Sequence, residues 1–230
     1  MQCTRIKLIK NSGLSLQYKV SGPASAFMPT SGVPGAAGTN GTGTMGLNVL
    51  LHGDGGQSFV DFPNQAVQEN VMGVVILAPN AMKFWGGGSG LDRTDGVAHA
   101  AAVDKLINTQ LPMDVAYDPG NVRFTGVSGG SLLMTGFFMP AFGAKYAAAG
   151  NTSLMAMCGG MEPQVPIVDA ANLSKARIHF QSTTMELTLL QPSIPMSMVA
   201  YEKIATGAGM SPAEIGKLQT VDNTPVGGHW

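Results

Sequence analysis

Three short, mostly apolar runs constrain the fold of this chain more than any other feature of the sequence. They lie at Leu47–Leu51, Gly73–Pro79 and Asn121–Val127, and helical patterns separate them. Strands that are buried on both faces have this character, because their side chains contact covering helices on either side of the sheet. The sequence therefore predicts an α/β fold with a mostly parallel central sheet and helices on both faces.

The first part of the chain follows a different pattern. Arg5–Lys10 and Leu14–Val20 alternate polar with apolar side chains, and turn residues separate them. This pattern predicts an N-terminal antiparallel hairpin with one face in water. Residues 21–46 are rich in Gly, Ser, Thr, Pro and Ala and have no periodic apolar pattern, so we interpret them as an irregular insertion. Since no linker separates two cores, we predict a single domain over residues 1–230.

Helix start and stop signals predict where helices cover the sheet. Asp61 is the predicted N-cap of a helix near Phe62–Asn70, and Asp95 is the predicted N-cap of a helix over Gly96–Gln110. The remaining predicted elements are helices over Gly130–Pro140 and Pro195–Gly207, a helix that begins with a capping box at Ser211, and strands at Leu154–Cys158 and Ala176–Phe180.

The charge balance argues against nucleic acid as a partner. The chain has 13 basic and 14 acidic residues and a formal charge of -1, so it has no basic stripe for phosphates. No apolar stretch approaches the roughly 18 residues that cross a bilayer, and the first residues lack the apolar segment of a signal peptide. We therefore expect a soluble protein with no membrane partner, from which any export signal has been removed. Secretion is the expected context.

The two cysteines, Cys3 and Cys158, leave two interpretations open. They either form one disulfide between the N-terminal strand and the core, or they are two buried thiols without a chemical role. Neither has the spacing of a metal-ligand pair. We predict no metal and no other cofactor.

The segment Gly126-Val127-Ser128-Gly129-Gly130 fits the pattern G-x-S-x-G and lies between a predicted buried strand and a predicted helix. A turn this tight needs small residues two positions before and two positions after the serine, because larger side chains would collide with the backbone. We therefore predict that Ser128 is a nucleophile whose hydroxyl projects above the sheet.

A glycine-rich turn, His52-Gly53-Asp54-Gly55-Gly56, follows the first parallel strand. Backbone N–H groups of such a turn, together with the amide of Gly129, can point at the oxygen above Ser128 and form an oxyanion hole. We interpret His52 as a brace for this loop. The alternative is a turn that only ends the strand.

A serine hydroxyl needs a base, and in this order of elements the base is a histidine late in the chain. We predict His229, which lies in a glycine-containing loop at the far end of the sequence. His99 lies in a predicted helix and is interpreted as a structural or surface residue. His179 lies in a predicted strand, where its ring would point into a packed face.

The third catalytic group should be a carboxylate after the Ala176–Phe180 strand, where it can accept the other N–H of the imidazole. Glu186 is the predicted acid, and Asp222 is the second candidate. The alternative for Glu186 is a solvated surface charge or the start of a helix.

Trp85 begins a glycine-rich loop after the second parallel strand. Ligands of open α/β sheets bind above this region. We name Trp85 as the candidate substrate-binding residue, whose exposed ring would stack on an aromatic acyl group or a sugar. A buried anchor for the loop is the alternative.

Together these motifs resemble the α/β-hydrolase superfamily, and within it the esterase branch of feruloyl esterases, acetylxylan esterases and short-chain polyhydroxyalkanoate depolymerases. The resemblance also includes Leu77-Ala78-Pro79-Asn80, Asp118–Val122 and the terminal Gly-His-Trp. It implies that Ser128 attacks an ester carbonyl, that His229 is general base and then general acid, and that the amides of Asp54 or Gly55 and of Gly129 bind the oxyanion.

The resemblance implies a cofactor-free serine esterase that forms an acyl-enzyme, with small acyl or feruloyl-type esters of carbohydrates or short polyesters as substrates. One position departs from the family, because the aspartate of its H-G-x-x-D motif aligns with Met185, next to Glu186. Two alternatives therefore stay open: a serine peptidase or amidase of the same fold, and a binding protein that has lost the acid.

Overall fold

The computed structural model describes residues 2–11, 13–39, 42–61 and 69–229. Its strands are β1 (Gln2–Asn11), β2 (Leu14–Pro23), β3 (Gly46–Leu51), β4 (Val71–Leu77), β5 (Val122–Val127), β6 (Ser153–Met157), β7 (Arg177–Gln181) and β8 (Gln219–Asp222). They form one sheet in the order β1-β2-β4-β3-β5-β6-β7-β8. The β1–β2 and β2–β4 pairs are antiparallel, and every other pair is parallel. The predicted parallel sheet with an N-terminal hairpin is confirmed.

The helices are α1 (Gln57–Asp61), α2 (Gly96–Lys105), α3 (Leu111–Asp114), α4 (Gly129–Leu133), α5 (Ala144–Ala149), α6 (Ala170–Leu173), α7 (Leu190–Gly207) and α8 (Pro212–Leu218). π-Helical segments join α2 to α3 and α4 to α5. None of the helices in the described residues is both long and apolar enough to span a membrane. The main cluster of buried side chains includes residues of the sheet and of α2, α4 and α7.

Strands β3 to β7 begin and end within two residues of their predicted bounds, because continuous apolar runs mark buried strands clearly. The parallel edge strand β8 was not predicted. The capping box is also present, with reciprocal hydrogen bonds between Ser211 and Glu214 at the start of α8. Between β2 and β3, the described residues 24–39 and 42–45 are irregular apart from two short 3₁₀ turns, Ala24–Ala26 and Pro29–Ser31, and isolated bridges. The predicted insertion begins after Pro23 and not at residue 21, because β2 extends to Pro23.

Several helix predictions need correction. Asp61 is not an N-cap, because it lies in α1, which begins at Gln57. Residues 62–68 of the predicted helix lie outside the described residues, and Glu69 and Asn70 form a turn. Asp95 occupies the N-cap position of α2 without a capping hydrogen bond from its side chain. Helix α7 begins before Pro195 and includes it.

The strand order decides between the two interpretations of the cysteines. Cys3 lies on β1 opposite Gly22, at one edge of the sheet, whereas Cys158 directly follows β6. Five strand spacings of about 4.8 Å separate these strands. A disulfide requires Cα atoms within about 7 Å of each other, so the disulfide interpretation is wrong.

Candidate active site

Ser128 occupies the sharp turn between β5 and α4. Its backbone has φ 49° and ψ −114°, a conformation that costs free energy and is found where surrounding structure imposes it. The Ser128 N–H donates to the carbonyl of Met157 at 2.8 Å, and the Leu132 N–H donates to the carbonyl of Ser128 at 3.0 Å. Strand β6 and the first turn of α4 therefore hold the serine in place.

The glycines on either side of Ser128 are required by close backbone contacts. A Cβ atom on Gly126 would lie 2.7 Å from the Cα of Ser131, and a Cβ atom on Gly130 would overlap the carbonyl of Leu51. Real Cβ atoms do not approach backbone atoms this closely. The steric reason predicted for G-x-S-x-G is therefore confirmed.

Replacing Gly130 with alanine is expected to lower the free energy of unfolding by about 1–3 kcal/mol, because the new methyl group must displace the backbone of β3. The matched control is Gly216→Ala in α8, where a Cβ atom meets no atom within 4 Å. This control should stabilise the chain by about 0.5–1 kcal/mol. Urea unfolding measures both, and equal stabilities of the two variants would contradict the account.

The C-terminal loop brings His229 to Ser128. The imidazole Nε2 lies 2.8 Å from the Ser128 Oγ, and Nδ1 lies 2.5 Å from the Glu186 Oε1. A carboxylate only accepts hydrogen bonds, so Nδ1 carries the proton and donates it to Glu186. Nε2 is then free to accept the hydroxyl proton of Ser128. The three residues named from the sequence lie together in one hydrogen-bonded chain.

Glu186 is fixed in the loop after β7. Its side chain is 3% exposed, and its Oε1 also accepts a hydrogen bond from the Leu187 N–H at 2.8 Å. Besides the Glu186–His229 contact, three hydrogen bonds join the described residues of this loop to the C-terminal loop: Thr184 N–H to the Pro225 carbonyl, Met185 N–H to the Gly227 carbonyl, and Thr183 Oγ1 to the Gly228 carbonyl. The two loops therefore place the carboxylate and the imidazole as one unit.

Asp222, the second candidate for the acid, has other partners. Its Oδ1 accepts hydrogen bonds from the N–H and the hydroxyl of Thr224, and its Oδ2 accepts one from Gln181. The backbone hydrogen bond from Thr224 is the main cause that lowers the pKa of Asp222. The carboxylate that lies at His229 is that of Glu186.

The turn after β3 lies against the serine. A Cβ atom on Gly53 would lie 3.5 Å from the Cβ of Ser128, and a Cβ atom on Gly129 would overlap the carboxylate of Asp54. The Gly55 N–H already donates to the Lys83 carbonyl at 3.2 Å, so of the two predicted donors in this loop the Asp54 amide is the better candidate. The backbone N–H groups of Asp54 and Gly129 donate no hydrogen bond to a main-chain carbonyl among the turn, loop and cap hydrogen bonds of the described residues.

An ion pair that the sequence motifs did not identify fixes the Asp54 loop. The Arg93 guanidinium donates from Nη1 to Asp54 Oδ1 at 2.9 Å and from Nη2 to Asp54 Oδ2 at 2.7 Å. Arg93 is 5% exposed, and it also donates to the carbonyls of Trp85 and Gly90. A bidentate pair of this kind fixes the orientation of the carboxylate as well as its distance from the guanidinium. Its members are 39 positions apart in the sequence, which explains why no local pattern revealed the pair.

His52 braces this loop, as its position predicted. Its Nδ1 lies 2.6 Å from the Gly53 carbonyl, and its Nε2 accepts the Ala78 N–H at 2.9 Å. Nδ1 therefore carries the proton. Burial lowers the pKa of His52, although the hydrogen bond to Gly53 partly offsets this effect. A buried neutral ring with both nitrogens occupied is a structural residue.

The prediction that Trp85 is an exposed substrate-binding residue is wrong. Trp85 is fully buried, with its ring centroid 5.4 Å from that of His52 and 6.0 Å from that of His99. His99 is also buried, and its Nδ1 accepts the Gly86 N–H at 2.9 Å. Burial lowers the pKa of His99, which favours this neutral acceptor form. Trp85 is the anchor of its loop, the alternative that the sequence left open.

A cavity of about 360 Å³ opens beside Ser128 and His229. Its apolar wall consists of Phe84, Leu132, Leu187, Leu189 and Leu190, and the Arg93–Asp54 pair forms its polar wall. Volumes of this size accommodate small organic ligands. The cavity therefore has room for an apolar group of a ligand next to the serine hydroxyl.

No protein-family model matches the sequence, and a search of curated proteins gives no match. Solved structures do match. A protein described as a dienelactone hydrolase from Klebsiella pneumoniae is 13% identical, covers 100% of this chain and 88% of its own, and has a TM-score of 0.59. A serine-to-alanine variant of the feruloyl esterase module from Clostridium thermocellum, complexed with sinapinate, is 11% identical, with coverages of 100% and 82% and a TM-score of 0.56.

A Rhizomucor miehei esterase is similar to the same extent, at 11% identity, with coverages of 100% and 76% and a TM-score of 0.55. All three of these neighbours have the α/β-hydrolase fold. The chain described here has that fold too, with its serine, carboxylate and histidine in the turn or loops that follow β5, β7 and β8.

Proposed function

We propose that this α/β-hydrolase-fold protein is a serine esterase that cleaves carboxylic esters through an acyl-enzyme. The observation that carries the proposal is the hydrogen-bonded chain from the Ser128 Oγ through the His229 imidazole to the Glu186 carboxylate. The same chain of atoms activates a serine in unrelated hydrolases, because the base removes the hydroxyl proton as the nucleophile attacks.

In the proposed first step, the Ser128 Oγ attacks the ester carbonyl carbon and its proton passes to the His229 Nε2. Glu186 stabilises the resulting imidazolium, because its Oε1 accepts the Nδ1–H. The amides of Asp54 and Gly129 donate to the oxyanion of the tetrahedral intermediate. Collapse of the intermediate breaks the bond to the alcohol, which takes the proton from Nε2. Water then releases the acid by the same steps.

The cavity supports an acyl group that is small or aromatic. Its five apolar side chains surround a volume of about 360 Å³, which is enough for a short aliphatic or a feruloyl-type group. The feruloyl esterase module among the structural neighbours is complexed with sinapinate, an aromatic acid. We propose esters of carbohydrates or short polyesters as substrates. Secretion of the protein also stays a prediction.

The alternatives receive less support. A peptidase that selects a free amino terminus needs an available carboxylate in its cavity, and Asp54 there is already paired with Arg93. A binding protein without an acid does not agree with Glu186, which supplies a carboxylate 2.5 Å from His229 although the family position reads Met185. An ester hydrolase agrees with both the Asp54–Arg93 pair and the Glu186–His229 contact.

Hydrolysis of p-nitrophenyl acetate, p-nitrophenyl butyrate and a feruloyl ester tests the proposal, with a peptide anilide as the comparison substrate. We expect turnover of at least one ester at a rate well above that of the anilide. Turnover of the anilide without any ester would favour the peptidase. No turnover of any substrate would favour the binding protein.

The Arg93–Asp54 pair gives a further prediction. Replacing Arg93 with methionine removes the groups that fix the Asp54 loop, so we expect kcat for esters to fall by about 10–100-fold, part of the effect of losing one oxyanion donor. The matched control is Arg123→Met, since Arg123 donates to Asn121 and pairs with Glu69, whose side chain is 77% exposed, and neither residue belongs to the candidate site. An unchanged kcat in the Arg93 variant would show that the pair does not position the loop.

A further inference from the structure

A third potential ligand lies beside two members of the catalytic chain. Cys158, Glu186 and His229 each offer an atom of the kind that binds metals, and these atoms all lie within 4.8 Å of one another. Cys158 is fully buried directly after β6, and its N–H donates to the Gln181 carbonyl at 2.7 Å. Ester hydrolysis as proposed above uses the carboxylate and the imidazole but leaves the thiol unused.

A second observation points to a cation at this place. Glu186 is 6% exposed, and its Oε2 has no hydrogen-bond partner among the described residues. A buried carboxylate oxygen without a donor is costly, because it has lost its hydration without replacement. A metal ion bound by this carboxylate would remove that cost.

We propose that Cys158, Glu186 and His229 form an inhibitory site for Zn²⁺ or a similar thiophilic divalent cation. Thiolate, imidazole and carboxylate are the ligands that zinc takes in proteins, with bonds of about 2.0–2.3 Å. Ligand atoms around a tetrahedral ion of that size lie about 3.3–3.8 Å apart, so the three groups need to move only slightly.

The position of the His229 proton in the metal-bound state explains the inhibition. Cys158 loses its thiol proton to solvent, and His229 binds the ion through Nδ1 while its proton moves to Nε2. An Nε2 that carries a proton cannot accept one from Ser128. The bound metal therefore removes the catalytic base without blocking the acyl cavity.

Two cavities border the site. His229 lines the cavity beside Ser128, and Glu186 lines a second cavity of about 470 Å³ that extends between the loop after β7 and α7. A hydrated cation can therefore approach from either side of the Glu186–His229 pair.

The test is a titration of the full chain with Cd²⁺, followed by the ultraviolet charge-transfer band of a cadmium–thiolate bond. We expect one equivalent to produce the band, and Zn²⁺ to displace it. Cys3→Ala is the matched control, since the chain has only two cysteines, and it should keep the band. Cys158→Ala should lose the band, and Cys158→Ser provides a second variant in case the alanine disturbs folding.

Inhibition of ester hydrolysis by Zn²⁺ is the second measurement, with each variant compared with its own metal-free rate. The Cys158 variants should need at least about tenfold more Zn²⁺ for half inhibition. Loss of a residue that only hydrogen-bonds to a metal ligand already weakens metal binding by about that factor, and Cys158 would be a ligand itself. No band in the unsubstituted protein, or equal inhibition of all variants, would overturn the site. Inhibition rests on the proposed function but binding does not, so a band without any ester turnover would refute only the esterase.

Discussion

Replacing Ser128 with alanine is expected to lower kcat for ester hydrolysis by about 10⁶-fold, because no other group takes the place of the nucleophile in the hydrogen-bonded chain with His229. Binding of the substrate should change little, since the apolar wall of the cavity is intact. Initial rates with a p-nitrophenyl ester, with substrate in excess, measure the effect.

Ser131→Ala is the matched control for this variant. Ser131 is also a buried serine of α4, and its hydroxyl donates to the Met157 carbonyl at 3.0 Å. Its loss should cost about 1 kcal/mol of folding free energy and leave turnover close to that of the unsubstituted protein. A Ser128 variant that keeps its turnover would remove the nucleophile from the mechanism.

Glu186→Gln is expected to lower kcat by about 10⁴-fold, the effect of neutralising the acid in a comparable serine hydrolase. The amide cannot stabilise the imidazolium as the carboxylate does, and its N–H₂ group can hold the imidazole in the wrong tautomer. Only the chemical step should suffer, so KM should change far less than kcat.

Asp222→Asn separates the two candidate acids. Both substitutions turn one carboxylate into an amide, but Asp222 bonds to Thr224 and Gln181 and not to the imidazole. The Asp222 variant should therefore retain its turnover. A large loss in Asp222→Asn together with an unchanged rate in Glu186→Gln would reassign the acid.

The central part of the fold was predictable because its signals are local. Apolar runs marked β3, β4 and β5, and the small residues around Ser128 marked the turn that follows β5. Strand β8 was missed because its residues, Gln219–Asp222, are polar or exposed. It lies at the edge of the sheet, where a strand need not be apolar. The π-helical continuation of α4 has no sequence pattern of its own.

The candidate site was predictable where a single segment carries the pattern, and not where two segments meet. Glu186 and Asp222 could not be separated by sequence, because hydrogen bonds between the loop after β7 and the C-terminal loop decide which carboxylate reaches His229. The glycines around Trp85 suggested exposure, but His52 and His99 from two other segments enclose the ring. Packing between distant segments decided both cases.

Labelling with a fluorophosphonate, followed by identification of the modified residue by mass spectrometry, tests the nucleophile most directly. The geometry of Ser128 and His229 predicts one covalent adduct on the Ser128 Oγ, and none in the Ser128→Ala variant. An adduct on another residue, or a folded protein that shows no adduct at all, would contradict the assignment of Ser128 as the activated serine.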